Sequence, residues 1–545
     1  MRASKAAAPT DEARDVQSAA QEQNELACRL LTQGRLSEAA THFARSLTLM
    51  PELLEQYAQV VTTLLNVSPA VREGIARVGK AWPRELAAEE LLGTQGIAAI
   101  SDDPLLRCLL ESSTVRDLIL ERYLTSLRRI VLGLALAAAE DNSLPCTDSV
   151  LDFCCALAKQ CFINEYVFAA SPGELAEADE LKARLVAALD SGRTVAPIIV
   201  AAVAAYFPLW ELAQGQPLLD RPWPPPVQSL LAKQVSEPTE ERQLRGSIPR
   251  LTGISDAVSL LVRQQYEENP YPRWVAPPSD RGGNSVTNYL RRQFPAAVLN
   301  DVPHDKRPEI LVAGCGTGQQ AIVTARRFAM GKVLALDLSL ASLAYAKRMA
   351  RALAAVNIEF AQADLIELKS IGRTFDLIET SGVLHHLAEP MRGWRVLFSL
   401  LRPGGVMHVG FYSAAARQDI AAARAFVTEQ GWQATADGIR RCRREILNTP
   451  MKTVARYADF FSVSECRDLL FHVQEHQLSI PEIKSFLREH SLQFIGFELH
   501  PRTLETYRFR FPADRSMTDL DLWQQFETEN PTAFAGMYQF WVQKG

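Results

Sequence analysis

Cysteine is sparse and unpatterned: the 545-residue chain has nine, an odd number, and none forms a C-x-x-C pair. That excludes a disulfide framework and a zinc-binding module as organising devices. Cys154, Cys155 and Cys161 read as core packing residues. An excess of one charge is also lacking. With 58 basic against 63 acidic side chains the formal charge is -5, so no general electrostatic footprint for nucleic acid exists. The local run Arg440-Arg441-Cys442-Arg443-Arg444 reads as a solvated helix face. No membrane span is expected either. The nearest candidate, Thr194 to Trp210, is uncharged but alanine-rich and interrupted by Pro197 and Pro208, and reads as a buried helix of a helical domain. The first residues lack an apolar signal region, so disorder to about Asp15 and a cytoplasmic location are the expectations.

The length exceeds one hydrophobic core and suggests roughly two to four domains. From Leu26 the chain places Ala27, Gly34, Ala39, Phe43, Leu47 and Pro51 at the offsets of one tetratricopeptide-like repeat. Small residues let two antiparallel helices touch, Phe43 fills the gap, and Pro51 ends the second helix. Tyr57 stands where a next repeat would open, after which the register fades. A lone repeat cannot bury its own face, so an all-α repeat-like domain is expected over 16–215. Pro222-Trp223-Pro224-Pro225-Pro226 then suggests a stiff linker over 216–250.

The most informative segment follows. Glu309 to Ala313 is an apolar strand entering the turn Gly314-Cys315-Gly316-Thr317-Gly318, with a helical stretch from Gln319 to Phe328. Glycines permit the tight turn and close approach of a ligand, and a helix N-terminus offers unpaired N–H groups and a positive dipole end. Further strands are expected at 332–338, ending in Asp337; at 358–363, closed by Asp364; at 375–379; and at 406–411, after the turn Leu401-Arg402-Pro403-Gly404-Gly405. Strand and helix alternate as in a doubly wound sheet, with an acid about twenty residues past the glycines placed to accept ribose hydroxyls. Two later aromatic-rich strands, 492–499 and 537–542, complete a seven-stranded set.

The ordered set AGCGTGQ, DLS, Asp364, FDLI, VLHHL and LRPGG resembles the class I S-adenosylmethionine-dependent methyltransferases over residues 250–545. The resemblance implies a seven-stranded Rossmann-like methyltransferase sheet over 251–545, preceded by the all-α domain, and S-adenosyl-L-methionine as cofactor. It implies that Gly314, Cys315, Gly316, Thr317 and Gly318 hold the methionine part of the cofactor. Asp337 and Leu338 are expected at the ribose, Asp364 and Leu365 at the adenine. One position departs from the family pattern: an acid often stands two places before the first glycine, where this chain has Val312. The cofactor's amino group must then be met by backbone or by another residue.

Acceptor-side candidates are fewer. His385 and His386 fall at the end of strand four, where open α/β sheets bind ligands, and are the catalytic candidates; Glu379 and Tyr412 have suitable positions too. The rigid run Gln265 to Trp274, with Tyr266, Asn269 and Tyr271, reads as a wall or lid of the cofactor pocket, or else as interdomain packing. Its N-P-Y-P differs in position from the N-P-P-Y motif of amide and adenine N-methyltransferases, which disfavours that chemistry. A helical insertion over 414–489 is expected to cap the acceptor pocket with Tyr457, His472 and His476. The last two, four apart, are read as sharing a helix face, as substrate contacts or as a polar surface stripe, and no metal site is assigned. The expected function is methyl transfer to a protein acceptor recruited by the helical domain. A small-molecule acceptor, or an inactive methyltransferase-like scaffold in an interaction protein, are the alternatives. No nucleic acid or membrane partner is expected, and the oligomeric state is left open.

Overall fold

A computed structural model describes residues 11–50, 53, 61, 63–141, 146–275 and 285–545. It divides into two compact units. One is Met1–Thr239 with Arg273–Ser279 and Ala458–Val463; the other is Glu240–Pro272 with Asp280–Tyr457 and Ser464–Gly545.

The first unit is helical. Asp11–Thr32 and Leu36–Leu49 form a hairpin that buries Ala27, Ala39, Phe43 and Leu47, with Gly34 at φ 73° in the turn. The small residues allow the contact and Phe43 fills it, as their spacing predicts. Helix begins at Asp11, inside the stretch expected to be disordered; the rest of that stretch, and Pro51 and Tyr57, lie outside the described residues. Later helices run from 4 to 23 residues, so the hairpin's dimensions are not carried forward. Leu118–Glu140 and Asp148–Ile163 start at side-chain caps, Asp117 and Thr147. Cys154, Cys155 and Cys161 are buried in this core. Pro197–Ala204 is a buried helix, and among the described residues no helix is long and apolar enough to cross a membrane.

Residues 216–250 differ from the extended linker that their prolines suggest. Pro225–Leu231 and Glu237–Arg245 are helices flanking one π turn, with Val227, Leu230 and Leu231 buried. The physical reason is that proline is well suited to the first turn of a helix, where its missing N–H is not needed.

The second unit is a sheet of seven strands in the order β3-β2-β1-β4-β5-β7-β6. These are β1 (Glu309–Ala313), β2 (Lys332–Asp337), β3 (Ile358–Gln362), β4 (Phe375–Thr380), β5 (Leu401–Phe411), β6 (Leu492–Phe497) and β7 (Tyr538–Lys544). β1 to β5 are parallel and β7 runs antiparallel to both β5 and β6. β4 is buried along its whole length, with Phe375, Leu377 and Ile378 interleaved with the buried polar Asp376, Glu379 and Thr380. Strand order reverses between β1 and β4. The crevice above their carboxyl ends is where such sheets take ligands.

Candidate functional site

A cavity of about 290 Å³ opens at that crevice. Its floor is Gly314, Cys315 and Gly316; its sides are Asp337, Leu338, Asp364 and Leu365. Thr317 and Gly318 do not line it. The Thr317 hydroxyl instead bonds the Pro272 carbonyl, and a Cβ on Gly318 would stand 2.5 Å from the Ala346 Cβ, so these two shape the turn.

All three glycines have positive φ, and a Cβ at Gly316 would come within 2.6 Å of the Tyr271 carbonyl oxygen. Only glycine allows that approach. The loop's N–H groups are not left for a ligand: Gly314 and Cys315 donate to the Leu336 carbonyl, Gly316 to Asp337 Oδ2, Thr317 to the Tyr271 carbonyl and Gly318 to that of Cys315. Asp337 Oδ1 accepts from Ser339 N at 2.9 Å. Each of its oxygens keeps a second lone pair, enough for two ribose hydroxyls. Burial raises its carboxyl above the usual value, and the Ser339 and Gly316 N–H groups partly offset this.

Asp364 is buried, and its Oδ1 accepts from Ile366 N, while Oδ2 has no hydrogen-bond partner among the described residues. The Ser259 hydroxyl lies beside it and favours its charged form. An orphaned buried carboxylate oxygen on a cavity wall is costly unless a donor arrives. An adenine amine is such a donor. The glycine floor, the Asp337 acceptors and this orphan fit S-adenosylmethionine, whose electrophilic sulfonium methyl is the chemistry the cofactor supplies.

The acceptor side is a buried cluster. His386 and Tyr412 line the cavity, as do Tyr266 and Tyr271 from the segment expected to form its lid. His386 Nδ1 lies 2.8 Å from the Gln474 carbonyl, which makes Nδ1 the donor and leaves Nε2 with the lone pair of a neutral ring. Burial lowers its pKa, opposed by Asp468. His385 is fully buried with both ring nitrogens unbonded among the described residues, its ring against Tyr412, and burial holds its pKa well below the ordinary histidine value. Such a side chain is a packing group. His386 is therefore the one of the pair placed to touch a ligand.

Ligand atoms of His386, Asp468 and His472 lie within 4.8 Å of one another. Their hydrogen bonds decide what they are. His472 Nδ1 accepts from Gln474 N at 3.1 Å, so its proton is on Nε2, which faces Tyr266 Oη at 3.1 Å; Tyr266 in turn donates to Asp468 Oδ1 at 2.6 Å. The His386 and His472 rings stack at 3.6 Å and 19°, and one ion cannot lie in both of two nearly parallel ring planes. As arranged, these groups form a hydrogen-bonded network.

Other expected contacts fall elsewhere. The helix Val463–Phe471 ends before His472, so His472 and His476 do not share a helix face; the chain beyond instead bonds to the segments that follow β4 and β5, His476 N donating to His385 O and Leu478 N to Tyr412 O. Asn269 accepts from Arg467, Tyr457 bonds Asp419, and neither lines the cavity. In the arginine run, Arg441 and Arg444 are exposed but Arg443 is buried, because the helix Ala436–Ile446 turns it inward beside Cys442. Residues that the sequence did not single out also form the wall: Ser259, Gln320, Ser381, Val383, Asp468 and Met537. Gln320 stands one place beyond the AGCGTGQ motif and Met537 opens an expected strand, but neither position marks a cavity contact; Asp468 carries no local signal.

A family model described as a methyltransferase domain matches residues 310–405. The chain is 29% identical over 295 residues to an uncharacterized protein of Synechococcus, covering 50% of this chain and 68% of that one. It is 34% identical over 173 residues to trans-aconitate 2-methyltransferase of Deinococcus radiodurans, covering 31% of this chain and 62% of that enzyme. Among solved structures it is similar to PKMT2 from Rickettsia typhi in complex with AdoHcy, at 17% identity and a TM-score of 0.36, over 47% of this chain and 52% of that one. The sheet order, the glycine floor with its two aspartates, and the family match agree. The chain carries a class I S-adenosylmethionine-dependent methyltransferase domain.

Proposed function

We propose that the domain methylates an oxygen that arrives protonated, with His386 as the base. The observation that carries this is the tautomer of His386, a side chain that lines the cavity, whose Nδ1 is tied to the Gln474 carbonyl so that Nε2 keeps its lone pair. The acceptor oxygen's lone pair forms the bond to the methyl carbon as the sulfonium carbon–sulfur bond breaks, and the acceptor proton passes to His386 Nε2. Tyr266, Tyr271 and Tyr412 exclude water and orient the acceptor, which supplies most of the rate gain in a methyl transfer. A neutral buried imidazole suits the proton transfer, since it starts with its lone pair free.

The carrier of that oxygen is proposed to be a protein recruited by the helical unit. The repeat-like hairpin supports this, as does an apolar groove in that unit, about 870 Å³, lined by Ala40, Ala44, Leu64, Leu65 and Leu105. A small acid is the second reading, favoured by the similarity to an enzyme named for trans-aconitate. A carboxylate is already ionised and needs no base. One experiment separates these outcomes: lysate is incubated with the full chain and methyl-labelled cofactor, and label is scored as precipitable or soluble and as stable or labile to mild base. Base-stable, precipitable label that falls about a hundredfold with His386→Gln is expected. Base-labile soluble label, untouched by that substitution, would replace the proposal with the second reading.

A further inference from the structure

Val312 leaves the cofactor's ammonium without the acid that this fold often supplies, and the neighbouring strand carries a buried one. In the β1–β4 ladder Val312 is aligned with Glu379. Aligned residues of parallel strands point their side chains to the same face of the sheet. Glu379 is buried, and its Oε2 accepts from Thr324 Oγ1 at 2.5 Å and from Gln320 Nε2 at 3.2 Å. Gln320 and Thr324 are four apart on the helix Gln319–Arg327, so both meet the acid from one face.

The consequence lies in the amide. Because the Gln320 NH2 group must face the accepting oxygen of Glu379, its Oε1 is left as an acceptor, and Gln320 is on the cavity wall beside the glycine floor. We propose that Gln320, oriented by Glu379, seats the ammonium of the cofactor's methionine part in place of an acid at position 312. Glu379 is a positioning residue; Gln320 is the binding one. The inference rests on the cofactor assignment of the cavity and is independent of the acceptor.

Two ligands test it by calorimetry on the full chain. S-adenosylhomocysteine carries the ammonium; 5′-methylthioadenosine keeps the adenosine and sulfur but lacks the amino-acid part. Gln320→Leu should weaken the first by about ten- to a hundredfold and leave the second within about twofold, as for a lost hydrogen bond to a charged group. Glu379→Gln keeps an acceptor but loses the charge, so a smaller loss of the same selectivity, about three- to tenfold, is expected. If both ligands weaken together, Glu379 and Gln320 merely brace the helix, and the proposal falls. Unchanged S-adenosylhomocysteine binding by Gln320→Leu overturns it as well. Should Glu379→Gln fail to fold, Gln320→Leu, at a half-buried site, decides alone. A wild-type chain that binds neither ligand overturns the cofactor assignment together with this inference.

Discussion

At the scale of the residue, the two cavity aspartates set a pH dependence. Burial raises the Asp337 and Asp364 carboxyls above 3.8 in the folded chain. The unfolded chain then releases these protons first, so without ligand, stability falls as pH rises from the ordinary aspartate value through the raised ones. Hydroxyl donors from a bound ribose favour the charged form of Asp337, so ligand affinity should move the opposite way. It rises across that interval and is lost as pH falls through it. Titrating S-adenosylhomocysteine upward in pH from the ordinary aspartate value should show this slope, and Asp337→Asn should flatten it. The substitution should also weaken binding about tenfold at neutral pH, since Asn cannot both accept from Gly316 and Ser339 and serve two hydroxyls. An equal slope in the variant would assign the titration to another group.

At the scale of the element, the insertion after β5 is held together internally by a buried ion pair. Arg417 Nη2 lies 3.0 Å and Arg424 Nη1 3.2 Å from Glu475 Oε2, and the Arg417 and Glu475 side chains are only 4% and 3% exposed. Glu475 sits between His472 and Leu478, on the stretch whose backbone bonds to His385 and Tyr412, so the pair ties that stretch to the start of the helix Gln418–Glu429. Glu475→Ala leaves a buried guanidinium uncompensated and should cost about 3–5 kcal/mol in denaturant unfolding. Amide exchange at His476 and Leu478 should accelerate before the β1 amides do, because the opening is local. Global exchange without that order would mean the pair is not what pins the insertion. None of this was legible in the sequence. The β1 to β5 alternation was, since glycine turns and apolar runs are local patterns. The path of the chain beyond helix 463–471 is instead set by backbone bonds to Tyr412 and His385, roughly 65 to 90 positions away, and no window of sequence contains them.

At the scale of the whole molecule, the boundary between the units is not a single point in the chain, which the proline-rich linker reading missed. Ala458–Val463 and Arg273 onward belong with the helical unit although the chain on both sides of them belongs to the α/β unit. Within the helical unit, Arg273 is 3.4 Å from Glu165, Val463 N donates to Asn164 O, and Trp274, Phe460 and Phe461 are buried. A cut at 239/240 would therefore separate these three aromatic side chains from the rest of the unit they belong to. At about 1.5–3 kcal/mol for each large apolar side chain exposed, the fragment 240–545 should lose several kcal/mol. Its apparent thermal midpoint should fall by on the order of 10 °C, with new binding of a hydrophobic dye. Every residue lining the cofactor cavity is retained in that fragment, so S-adenosylhomocysteine should still raise its midpoint. A fragment as stable as the full chain would show that these aromatics contribute little to the fold, and that the division between the units is as simple as a linker at 216–250 would have made it.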